Sequence, residues 1–141
     1  MDTATSLFFA LLRSGLWGTE PELPMPSATG TPAAKDKAGS QGHSPDIDTW
    51  KHVFRLATEQ TVTGLITDGA AACPAGYVPG AVSLRLMSSL VAIEKRNAAV
   101  NALIARIIPL FDKANVPTVL VKGQAVAQCY RKPEGRMPGD I

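Results

Sequence analysis

The sequence predicts an α+β fold that is mostly helical: N-terminal helices followed by the first strand–helix–strand of a sheet left incomplete at the C-terminus. Three observations carry this. Residues 82–114 place Leu86, Leu90, Ile93, Asn97, Val100, Ile104, Ile107 and Phe111 at alternating four- and three-residue spacing, the period of one helix face. Residues 45–67 repeat Ile47, Trp50, Phe54, Ala57, Thr61 and Leu65 in the same way. Thr118-Val119-Leu120-Val121 is apolar and β-branched, which suits a buried strand.

The elements follow in order. Residues 2–16 read as a short helix with Leu7, Leu11 and Leu12 on one face and Phe8 alongside. Thr3 or Thr5 is the expected cap, and Gly15 and Gly18 offer a stop. The strip is too short to stand alone, so it should dock elsewhere. Residues 18–45 read as a Pro/Gly-rich linker, with Pro21, Pro24, Pro26, Pro32 and Pro45 among Gly, Ser and Thr. Such a stretch has little to bury against its conformational entropy and is expected to be disordered or extended.

Ser44-Pro45-Asp46 supplies a capping hydroxyl, a first-turn proline and an acid at the positive helix end. The helix it opens is expected to run to Thr67 and to end at Asp68-Gly69. A small-residue connector over 68–81 leads to the long helix of 82–114. Pro109 is expected to kink or restart that helix near Arg106. Glu94, Lys95 and Arg96 read as a solvated face, and Asn97, inside the apolar strip, as a boundary position in preference to a buried partner. Asn115-Val116-Pro117 breaks the helix, the strand 118–121 follows, and Gly123 permits a tight turn. Gln124 to Tyr130 reads as a short helix with Val126, Cys129 and Tyr130 inward, and Gly139-Asp140-Ile141 as the start of another strand. The domain organisation is thus an N-terminal helix (1–17), a linker (18–45), a helical region (46–115) and the start of a further domain (116–141).

Composition bounds the function classes. The 141 residues, 45% hydrophobic and 18% charged, suffice for one modest core. A net charge of +2, with no basic stretch, does not indicate a nucleic-acid surface. Cys73 and Cys129 stand far apart and read as two reduced thiols, while His43 and His52 are too isolated for a zinc site. Leu7 to Leu12 is apolar but preceded by Asp2 and too short for a secretory signal or a membrane span. The expected location is cytoplasmic.

The C-terminal residues carry the chemistry. Val119-Leu120-Val121-Lys122-Gly123 is an apolar strand ending in Lys-Gly; Tyr130 lies near the end of the next helix; Arg136, a spacer and Gly139-Asp140-Ile141 follow. This order resembles a family of uncharacterised bacterial nucleotidyltransferases in the polymerase-beta superfamily, whose last motif continues as Gly-Asp-Ile-Asp. Leu11 to Gly18, the Trp50 helix and the long helix also occur in the matching order. The resemblance covers most of the chain, but its specific signal lies in about 20 residues.

The resemblance implies transfer of a nucleotidyl group from a nucleoside triphosphate to an acceptor that the sequence does not identify. Such chemistry uses carboxylates to hold Mg²⁺, a backbone open to the triphosphate, and cations against developing charge. Carried over by position, Gly123 would let the triphosphate approach the backbone, Lys122 and Arg136 would contact phosphate, and Asp140 would be the first Mg²⁺ ligand and the catalytic carboxylate. Gln124 stands where the wider superfamily commonly has Gly or Ser. The sequence stops before the second carboxylate, so the expectation is an N-terminal fragment that is inactive by itself. A competing expectation is a non-catalytic helical module that binds a protein partner through exposed helix faces, or a gene remnant.

Overall fold

The computed structural model describes residues 2–24 and 44–137. Five α-helices follow one another: α1 (Thr3–Trp17), α2 (Ile47–Glu59), α3 (Thr63–Ala71), α4 (Gly80–Lys113) and α5 (Gly123–Ala127), with a 3₁₀ turn over Pro133–Gly135. The described residues contain no strand, so the expected strand–helix–strand is corrected to an all-helical arrangement. Thr118–Val121 forms no regular element, with Val119 80% exposed. β-branched side chains favour a strand only where a neighbouring strand and a packed face exist, and neither is present among the described residues. The second expected strand, Gly139–Ile141, lies outside the described residues.

Asp2, rather than either threonine, caps α1: its carboxylate accepts from the Thr5 amide at 2.7 Å. Gly18 ends the helix at φ 69°. Asp46 caps α2 in the same way, accepting from the Thr49 amide at 2.7 Å. The single helix expected over 45–67 is two helices. Thr61 turns left-handed at φ 56°, and the Val62 amide bonds back to the Ala57 carbonyl at 2.9 Å, closing α2. The new direction lays α3 antiparallel on α1. A methyl group at Gly15 would overlap the Leu65 carbonyl, and one at Gly69 the Leu11 carbonyl, so two glycines let the backbones touch. Asp68-Gly69 therefore lies inside α3 instead of ending a helix.

The core joins these helices to the first half of α4. Leu7, Leu11, Trp50, Val53 and Ile66 are fully enclosed, and Tyr77, Val82 and Leu86 complete the cluster. Each buried side chain of this size contributes about 1.5–3 kcal/mol of transfer free energy. Leu23 of the 18–24 stretch packs against the same cluster.

α4 runs unbroken through Pro109. The proline removes the partner of the Ala105 carbonyl, but Ala105, Arg106 and Pro109 are all exposed, so water takes that carbonyl and no restart is needed. Burial along α4 stops at Asn97. Beyond it the apolar seam is only partly covered, with Val100, Ile104 and Ile107 half-buried and Phe111 42% exposed, and Leu110 beside it is 64% exposed. No helix among the described residues is long and apolar enough to cross a membrane.

Candidate functional site

The residues after α4 fold back onto the helices through a polar junction. Asn97 ends the buried half of α4 and is itself only 2% exposed. Its side-chain nitrogen donates to the carbonyls of Glu134 and Arg136, each at 2.6 Å. Its oxygen accepts from the Gln124 side-chain amide at 2.8 Å. Backbone carbonyls only accept, so these two partners dictate which way the Asn97 amide points. One side chain thus ties α4 to α5, to the 3₁₀ turn and to the residue that follows it.

Further contacts seat that segment. A methyl group at Gly64 of α3 would overlap the Gly135 carbonyl, so the 3₁₀ turn rests directly on α3. Lys132 pairs with Asp68 at 2.5 Å. The Arg131 guanidinium lies against Gly18 at the end of α1. Residues 131–136 are in this way fixed by α1, α3 and α4.

The expected site residues sit around this junction. Lys122 is exposed and holds the strained backbone φ 62°, ψ −159° immediately before α5. Gly123 follows at φ 41°, with no atom of the described residues within 4 Å of the place a side chain would occupy. Arg136 is half-buried; its guanidinium donates to the Met137 carbonyl at 3.2 Å, while its own carbonyl is held by Asn97. Asp140 lies outside the described residues. Asn97 therefore connects the Lys122-Gly123 turn, through Gln124, with Arg136. The described residues contain no group of three or more carboxylate, imidazole or thiol side chains able to hold a metal ion.

The inward face of α5 corrects the expected one. Gln124 and Ala127 are buried, whereas Val126 and Cys129 are exposed and Tyr130 is half-buried. A glutamine faces inward because its partner there is an asparagine. The sequence signal was Asn97 alone, a polar residue inside the apolar strip of the long helix.

A family model described as an uncharacterised nucleotidyltransferase matches residues 46–141, well over half of the chain. The chain belongs to this nucleotidyltransferase family. The match takes in α2 to α5, the Asn97 junction and the Lys122-Gly123 turn. No curated protein and no solved structure matches the chain.

Other concave surfaces lie elsewhere. A groove of about 820 Å³ runs along the outer side of α1 between Phe9, Leu12, Arg13, Leu16 and Pro24, and none of the expected site residues lines it. Cys73 and Cys129 are both free, and burial pushes the Cys73 thiol up to about 11, which leaves it protonated and inert near neutral pH.

Proposed function

We propose that the chain carries the nucleotide-receiving part of a nucleotidyltransferase, with the Lys122-Gly123 turn and Arg136 facing the phosphates of a nucleoside triphosphate. The observation that carries this reading is the open backbone at Gly123, beside a lysine and joined through Asn97 to Arg136, in a member of this family. An uncovered backbone lets phosphate oxygens come close, and the two cations offset charge on the oxygens of the transferring group. An acceptor group would attack the α-phosphorus in line; the bond from that phosphorus to the α,β-bridging oxygen would break, and pyrophosphate would leave. Asp140 is the carboxylate we assign to Mg²⁺, which supplies charge neutralisation at the phosphates when bound.

Titration with fluorescent nucleoside triphosphates and Mg²⁺ tests the reading. Saturable binding is expected, weakened about tenfold by Lys122→Ala and by Arg136→Ala, the usual loss for a charge-assisted contact. Absence of binding in the unsubstituted protein, or parental affinity in both variants, would remove the assignment.

A second reading rests on the uncovered half of α4. Leu103, Leu110 and Phe111, together with Val119 and Val121, leave an apolar surface that fits a protein-binding module. Its signature is complex formation that Leu110→Glu abolishes and Lys122→Ala leaves intact.

A further inference from the structure

We infer that Asn97 is a positioning residue that sets the Lys122-Gly123 turn and the Arg136 segment at a fixed distance, through two separable hydrogen-bonded arms. The inference rests on the nucleotide reading above for its purpose, and on the geometry of the junction for its existence. Asn97 uses both of its N–H bonds on carbonyls of the Arg136 segment and its oxygen on Gln124, with every bond at 2.6–2.8 Å. It is buried at the end of the covered half of α4, so water does not replace a lost partner freely.

A purely space-filling residue at this place of the seam would be apolar, as Leu86, Leu90 and Ile93 are. An amide gives something a leucine cannot: three directed bonds to two segments that make no regular hydrogen-bonded ladder with each other. Gln124 begins two residues after Lys122, and the bound carbonyl of Arg136 belongs to the residue whose guanidinium is assigned to phosphate. Both cationic residues are therefore referred to one point on α4. A triphosphate bridging them would meet a spacing already set, which lowers the ordering cost of binding.

The two arms separate by substitution. Asn97→Asp keeps the acceptor for Gln124 and loses both donors to the carbonyls. Gln124→Met keeps the length of the side chain and loses the donor to Asn97. Amide exchange and trypsin cleavage after Arg136 read the arms independently of any ligand. Asn97→Asp is expected to raise opening of residues 134–137 about tenfold, with 124–127 little changed. Gln124→Met is expected to do the reverse. In both, exchange in α1 and α3 should stay as in the parent. The same variants should weaken binding of a Mg²⁺–nucleoside triphosphate about tenfold.

Unchanged opening of both segments in both variants would overturn the inference, as would loosening of α1 and α3 to the same degree as the junction. Should Asn97→Asp fail to fold, the Gln124→Met arm decides alone. Nucleotide binding that is equal in parent and variants, with the junction opened, overturns the positioning role. A parent protein that binds no nucleotide sinks the nucleotide reading, while the exchange data still decide the two-armed clamp.

Discussion

Trp50 and Tyr77 meet edge to face, with ring centroids 6.3 Å apart, and neither the indole N–H nor the phenol O–H has a hydrogen-bond partner among the described residues. The pair closes the core between α2 and the turn that leads into α4. Its geometry favours the aromatic contact, while each polar atom is held away from a hydrogen bond. Burial and the neighbouring Cys73 both push the Tyr77 phenol up, so it stays protonated and its charge plays no part in the contact near neutral pH.

Trp50→Ala should lower stability by roughly 3–5 kcal/mol, the cost of emptying a buried aromatic site. Tyr77→Phe should be neutral or slightly stabilising, because it deletes an unpartnered hydroxyl and keeps the ring. Urea melts of the two variants check both. A large loss in Tyr77→Phe would mean that the hydroxyl has a partner in solution.

Gly64→Ala should cost about 1–3 kcal/mol, since the added methyl group overlaps the Gly135 carbonyl and something must shift. The loss should be concentrated in residues 131–136, which ride on α3 at that point. Chemical shifts there should move more than those of α1. A Gly64→Ala protein with parental stability and spectra would show that the 3₁₀ turn does not rest on α3.

Acid should loosen the start of α2. The Thr49 amide bonded to Asp46 lowers the carboxyl below its usual value of 3.8. A carboxyl lowered in the folded state contributes stability above the unfolded value, and that contribution is lost as pH falls through the folded one. Asp2 behaves alike through Thr5. Asp46→Asn keeps a cap without a titrating group, so its melting temperature should vary less between about pH 5 and pH 2 than that of the parent. An identical pH profile for the two proteins would exclude Asp46 as a contributor.

Gly123→Val should damage nucleotide binding more than folding. No neighbour blocks the side chain, so the cost in the free protein is the strained φ of 41°, about 1–3 kcal/mol for a residue other than glycine. The valine would stand where phosphate is proposed to approach. Calorimetric titration with a Mg²⁺–nucleoside triphosphate, set beside a thermal melt, separates the two effects. Retained affinity in a folded variant would move the phosphates elsewhere.

Periodicity made the helices around Leu7, Trp50 and Leu90 legible, because burying one face repeats at a period that a single chain displays. It did not reveal the break at Thr61. That break depends on α3 turning back to lie on α1, a contact between residues far apart in sequence. The Thr118–Val121 run misled for the opposite reason: its local preference for a strand is real, but a strand exists only with a partner. Of the candidate site, the order along the chain singled out Lys122, Gly123 and Arg136 through the resemblance, and the described residues place them around one junction. The Asn97–Gln124 bond was not legible, since the two residues lie 27 positions apart in the sequence and only the fold brings them together.

The unbroken course of α4 has a mechanical consequence. Asn97 and Phe111 are fourteen residues apart on one rod, about 21 Å at the rise of an α-helix. The inner end of the rod is anchored in the core, and among the described residues nothing buries a side chain of the outer end. Such a beam is a lever: a load applied at Phe111 exerts its torque about the anchored end, and Asn97 is the last residue that end holds. Shortening or loosening the beam, for example by glycines at Ala102 and Ala105, would decouple its tip from the amide at its fulcrum without touching either.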